Sequence, residues 1–121
     1  VLRLLLGGSE EKDIEICIKS VAGYINTNYY ESITIDSLAK IFNFSSSWLV
    51  RSFKKYTGYT INDYITNKRI YEAKKLLLNK PELSIRKIAI MCGYHDQQYF
   101  SRIFQKTVGE SPSIFRRKIS R

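Results

Sequence analysis

A chain of 121 residues that is 44% apolar and 13% aromatic has material for one compact domain, or two very small ones sharing a core, which excludes a disordered tail. Its formal net charge of +9 is unevenly placed: residues 1–43 carry four basic and six acidic side chains, whereas residues 44–121 carry sixteen and five. A basic surplus confined to part of a folded domain points to a polyanionic partner, nucleic acid or an acidic membrane, the plainer alternative being a solubilising surface.

The run Val1-Leu2-Arg3-Leu4-Leu5-Leu6 is too short to span a bilayer and lacks the flanks of a signal peptide. Residues 1–10 therefore read as a linker or as the remnant of an upstream domain, and residues 11–121 as the folded unit. No stretch alternates with period two, while helical periods recur throughout, so the expected fold class is all-α. The first helix is expected from about Glu11 to Asn28, with the stripe Ile14, Ile18, Val21, Ala22 and Ile25. Thr34 suits the N-cap of a short helix carrying Ile35, Leu38 and Ala39. After the break Asn43-Phe44-Ser45, a helix from about Ser46 to Thr57 stops at Gly58, where a left-handed residue is wanted. Thr60 caps a long helix, about Ile61 to Leu78, that ends before Asn79-Lys80-Pro81. Ser84 then caps Ile85 to Cys92, Gly93 breaks, Asp96 caps Gln97 to Val108, and Gly109 ends it. Ser111-Pro112 opens a last helix, with proline where a helix tolerates it.

Two of these segments are copies. Thr34-Ile35-x-x-Leu38-Ala39 matches Ser84-Ile85-x-x-Ile88-Ala89 at an offset of 50. Leu49-x-Arg51-x-Phe53-x-Lys55-x-x-Gly58 matches Phe100-x-Arg102-x-Phe104-x-Lys106-x-x-Gly109 at an offset of 51. The second turn is thus one residue longer. Each copy is a short helix, a tight break and a longer helix, the plan of a helix-turn-helix. The first spans about 34–58, the second about 84–109, and the long helix at about 61–78 links them.

Helical spacing sorts the faces of the longer helices. In copy one, Leu49, Phe53 and Tyr56 point inward with Trp48 at the edge, leaving Ser46, Ser47, Val50, Arg51 and Lys54 outward. In copy two, Phe100, Ile103, Phe104 and Val108 point inward with Tyr99 at the edge, leaving Gln97, Gln98, Ser101, Arg102 and Gln105 outward. Arginine can take guanine bidentately, glutamine can take adenine, and small residues let a helix sit deep in a groove. Copy two has the richer set and is expected to discriminate bases more sharply. Lys55, Lys106, His95 and the run Arg116-Arg117-Lys118 are candidates for backbone phosphates, the alternative for each being a solvated surface group. Arg69 falls on the apolar stripe Ile61, Ile65, Ala73, Leu76, where a structural ion pair is expected in preference to a DNA contact. Cys17 and Cys92, among apolar neighbours, read as buried free thiols. With no CxxC pair and one His, no zinc site follows from any familiar spacing. Catalysis would need a nucleophile beside a base, paired acids or a metal, and none is assembled here; neither an enzyme nor a cofactor is expected.

The second copy, Ile85-x-x-Ile88-Ala89-x-x-x-Gly93-Tyr94-x-Asp96-x-x-Tyr99-Phe100-Ser101-Arg102-x-Phe104-x-Lys106-x-x-Gly109-x-Ser111-Pro112-x-x-x-Arg116, resembles the AraC/XylS family of bacterial transcription regulators. So does Arg69-Ile70-x-x-Ala73-Lys74-x-Leu76-Leu77, and the likeness covers roughly residues 14–118. The resemblance implies a seven-helix, homeodomain-like domain whose two recognition helices enter successive major-groove segments of double-stranded DNA. It implies base contacts from Ser47, Val50 and Arg51 and from Gln97, Gln98, Ser101 and Arg102. Backbone contacts would come from Ser46, Lys54, Lys55, His95, Lys106 and Arg116. Copy one departs from the family in Trp48, where Tyr is common, and in apolar Val50, which suits a thymine methyl. The resemblance further implies a cytoplasmic activator that contacts RNA polymerase and carries a separate N-terminal sensor, a sugar-binding cupin or a phosphorylated receiver. The isolated domain would be monomeric and the full-length protein dimeric, with no membrane partner.

Overall fold

The computed structural model describes residues 10–119. All the regular structure among them is helical: α1 (Glu10–Asn28), α2 (Ile35–Phe42), α3 (Ser46–Thr57), α4 (Ile61–Asn79), α5 (Ile85–Met91), α6 (Gln97–Val108) and α7 (Pro112–Ile119). The linker expected at residues 1–10 lies outside the described residues apart from Glu10, which opens α1. Every expected helix is present, with bounds within about one residue.

Local chemistry explains the boundaries. Thr34 and Ser37 exchange bonds, each backbone N–H donating to the other's hydroxyl at 3.0 Å, so two otherwise orphaned donors are satisfied reciprocally. Ser45 caps α3 by accepting from Trp48 N, and Ser84 caps α5 by accepting from Lys87 N. The Asp96 carboxylate takes two N–H groups, Gln98 at 2.9 Å and Tyr99 at 3.3 Å, and adds a negative charge at the positive end of α6. Gly58 (φ +82°) and Gly109 (φ +104°) adopt the left-handed cap that ends α3 and α6.

The repeat extends into the turns. Phe44 N donates to Ala39 O at 2.8 Å, and Tyr94 N donates to Ala89 O at 2.9 Å, the same closing bond 50 residues apart. The left-handed residue that enables it is Gly93 (φ +101°) in one copy and Asn43 (φ +62°) in the other. Asparagine tolerates that conformation because its short polar side chain can bond locally.

The chain divides into two compact units, each with its own core. One comprises α1 and Ser32–Ile65; the other comprises Tyr29–Glu31 and the chain from Thr66 onward. In the first, Ile18, Val21 and Ile25 of α1 meet Leu38, Ala39, Leu49 and Phe53, with Ile61 and Ile65 of α4. In the second, Ile70, Ala73 and Leu77 of α4 meet Ile88, Ala89, Cys92, Tyr94, Phe100 and Phe104. Helix α4 thus serves both cores, and its buried line continues through Ile70, Ala73 and Leu77, with Leu76 only partly covered. Cys17 corrects the expectation of two buried thiols. It is a free thiol but only half-buried, because it flanks the stripe that buries Ile18 next to it, whereas Cys92 is fully buried and free.

Candidate nucleic-acid interface

Helices α3 and α6 each follow a tight turn and rest on their units by two fully buried residues, Leu49 and Phe53 in α3, Phe100 and Phe104 in α6. Leucine and phenylalanine four positions apart make the inner stripe, so the residues between them must face away. On α3 this exposes Ser47, Val50, Arg51, Lys54 and Lys55, with Ser46 half-covered. On α6 it exposes Gln97, Gln98, Arg102 and Lys106, with Ser101 half-covered and His95 exposed in the preceding turn. Val50, 42% exposed in the middle of the polar face of α3, is an apolar group suited to a thymine methyl. Trp48 packs on Phe44 with ring centroids 4.5 Å apart and belongs to the rim of the first core.

The basic groups fall into two sets. Arg51 and Lys106 are exposed and make no bond with any described residue. Lys54 Nζ reaches the Gly58 carbonyl at 3.4 Å and Lys55 Nζ stands 5.5 Å from the Tyr56 ring centroid. Ser46, expected against a phosphate, donates its hydroxyl to Asp36 Oδ1 at 2.7 Å, joining α3 to α2. Arg116, expected against the DNA backbone, turns inward instead. Its guanidinium donates to Leu83 O at 2.7 Å, Lys80 O at 3.1 Å and Leu77 O at 3.4 Å, satisfying carbonyls at and beyond the end of α4. Lys118 pairs with Glu110 at 3.1 Å. Two of the three residues of the basic run at 116–118 thus meet partners within the protein.

Arg69 corrects the expected ion pair. It is structural, but it meets no carboxylate among the described residues; it donates to Tyr29 O (2.7 Å) and Glu31 O (2.8 Å) and lies 5.2 Å from the Tyr94 ring centroid. Carbonyl oxygens of a tripeptide 38–40 residues upstream leave no trace in the spacing of α4. A further contact was not expected either: Arg102 stands 5.8 Å from the centroid of Tyr99. The three-residue spacing on one helix is the signal for it.

Two half-exposed, hydrogen-bonding faces on capped helices behind tight turns are the geometry of helix-turn-helix recognition. Residues 38–118 match the helix-turn-helix domain family. The chain belongs to the AraC-type helix-turn-helix regulators. It is 36% identical over 113 residues to an uncharacterized helix-turn-helix transcriptional regulator of Pseudoalteromonas carrageenovora, covering 93% of this chain and 66% of that protein. Against the lactose operon transcription activator of Staphylococcus xylosus it is 37% identical over 85% of this chain and 37% of the relative. The C-terminal domain of AraT, a response regulator from Geobacillus stearothermophilus, superposes with a TM-score of 0.82 at 34% identity, over 84% of each chain. This AraC-type chain thus spans about a third to two thirds of the length of these curated relatives. Family and fold are those of DNA-binding domains of transcription regulators, not of enzymes. Among the described residues, no helix is long and apolar enough to cross a membrane.

Proposed function

We propose that this AraC-type regulator reads a bipartite site, with α3 and α6 in successive major-groove segments of one duplex, and that it activates transcription. The observation that carries this reading is the outer face of α6. Gln97, Gln98 and Arg102 are all exposed on a helix whose opposite face is locked into the core by Phe100 and Phe104. Such a face has hydrogen-bonding reach in solution and little freedom to move, which suits base-edge readout. Base readers are Ser47, Val50 and Arg51 on α3 and Gln97, Gln98, Ser101 and Arg102 on α6. Lys54, Lys55, Lys106 and His95 supply phosphate contacts; Ser46 and Arg116 are left out, because the Ser46 hydroxyl donates to Asp36 and the Arg116 guanidinium serves three carbonyls. The α6 face, with more donors and acceptors, discriminates more sharply than the α3 face.

Activation draws support from the activator among the relatives, and RNA polymerase is the partner it implies. The relatives' greater length supports an N-terminal sensor or receiver domain, and the response regulator among the structural neighbours favours the receiver. In that arrangement the present domain is monomeric and the upstream part dimerises the whole.

Selection of bound sequences from random duplex DNA, followed by competition at fixed salt, tests the central claim. Sequence-specific binding gives a selected-to-random affinity ratio of about 10³ or more, whereas binding to phosphates alone gives a ratio near one and would end the proposal.

A further inference from the structure

We infer that Tyr99 is a positioning residue that holds Arg102 ready for its base, and that Arg69, acting through Tyr94, steadies the Tyr99 ring; this rests on the proposed reading of Arg102 as a base reader. The contacts form a ladder within one unit. Arg69 is pinned at its far end by two carbonyls, Tyr29 O and Glu31 O. Its guanidinium lies 5.2 Å from the Tyr94 ring centroid, and Tyr94 is only 6% exposed. Tyr94 lies against Tyr99 (centroids 6.0 Å) and Phe100 (5.4 Å) at the start of α6. Arg102, one helical turn beyond Tyr99, completes it at 5.8 Å from that ring. Gly93 closes the fixed end, since a Cβ there would stand 3.0 Å from Arg69 Cζ and 3.1 Å from Tyr30 O.

Tyr99 is 46% exposed, so burial does not account for a large ring at this position. A guanidinium within about 6 Å of an aromatic face is attracted by the ring quadrupole. An arginine already ordered loses less conformational freedom when it meets a base than one sampling many rotamers in water, so the ring sharpens discrimination without touching the base. The first copy lacks this device. Trp48 stands at the position matching Tyr99 and packs on Phe44, the counterpart of Tyr94, but among the described residues Arg51 stands over no ring.

The test is a double-mutant cycle on the 121-residue chain, using the duplex recovered by random-sequence selection and its single-base variants. Tyr99→Leu lowers the preference at the base pair read by Arg102 by about two- to fivefold, the scale of an exposed cation–ring contact. Tyr99→Phe keeps the preference, and Tyr99→Leu has no further effect once Arg102→Ala is in place. In the DNA-free protein, the Arg102 side-chain N–H resonance is displaced upfield by the Tyr99 ring. That displacement survives Tyr99→Phe, disappears in Tyr99→Leu and shrinks in Arg69→Lys, which keeps the charge but loses the planar fork. Equal losses from Tyr99→Leu with and without Arg102→Ala, or a loss in Tyr99→Phe matching that in Tyr99→Leu, would overturn the positioning role. A normal displacement combined with an Arg102→Ala variant of unchanged base preference removes the premise instead, and the proposal with it.

Discussion

Arg102 and Lys106 lie one turn apart on the same exposed side of α6, yet they are assigned different work. A guanidinium that takes guanine bidentately carries information, while an ammonium near phosphate carries only charge. Arg102→Ala is expected to cost roughly 1–3 kcal/mol on the selected duplex and to relax preference at one base pair. Lys106→Ala should weaken all sequences alike and reduce the salt slope by about one unit. Titrations at several salt concentrations on selected and single-base-variant duplexes separate the two, and matching sequence-independent losses would remove the distinction. Cys92 gives a different kind of residue-scale test. Burial, with a contribution from Glu72, pushes its thiol from 9.0 up to about 12, against the opposing pull of Arg69. The folded chain therefore holds this proton more tightly than the unfolded chain. The stabilisation is complete below pH 9.0 and is lost as pH rises towards about 12. Denaturant curves across that window should fall more steeply for the native protein than for Cys92→Ala. At about pH 8 a thiol reagent should modify half-exposed Cys17 first and reach Cys92 only through unfolding.

The helices owe their ends to caps and their places to inner stripes, and these two causes can be separated by mutation. Gly58 and Gly109 are left-handed caps with open space where a Cβ would stand, so alanine at either should cost roughly 1–2 kcal/mol, the strain of that backbone alone. Gly93 shares the conformation but lies against Arg69 and the Tyr30 carbonyl. Gly93→Ala should cost about 2–5 kcal/mol, because overpacking adds to the strain. Equal midpoints for the three variants in thermal melts would show that the Arg69 contact yields freely. On the inner faces, Phe53→Ala and Phe104→Ala should each cost roughly 3–5 kcal/mol by leaving a cavity in a core. An unchanged melting midpoint in either would mean that the helix had its faces reversed. The inner faces were legible because one helix repeats every 3.6 residues whatever lies beyond it. The left-handed Asn43 was not, since asparagine occupies many turn positions and only the return bond to Ala39 identifies this one.

At the scale of the molecule, the proposal makes one chain the reader of two unlike half-sites, without a palindrome. Helix α4, which lies between the copies in the sequence, has 19 residues, about 28 Å at ~1.5 Å per residue. Half-sites on one face of a duplex recur about every 34 Å, or one turn. Inserting about five base pairs between them turns one half-site to the far side, and most of the specific affinity should be lost. Inserting about ten restores the face but lengthens the span by a turn, and should fail as well. Affinities of the isolated domain on the three spacings decide it. Undiminished binding to the five-base-pair insertion would show that the two copies do not act as a pair, and that α6 carries recognition alone.

Helix positions, caps, the doubled helix-turn-helix and the outward set on α3 and α6 could all be read from the sequence. Each depends on residues within a turn or two of one another, and the 50-residue repeat shows each signal twice. The destinations of the long cationic side chains could not. Arg69 and Arg116 occupy helix positions that suit an ion pair or a phosphate. They are instead consumed by carbonyls 33 to 40 residues away, which only tertiary packing brings within reach. Ser46 bonds Asp36 for the same reason, and the ladder from Arg69 to Arg102 exists because a turn, a linker helix and a recognition helix meet around Tyr94. A donor's local sequence specifies that it must be satisfied, while the fold decides by what.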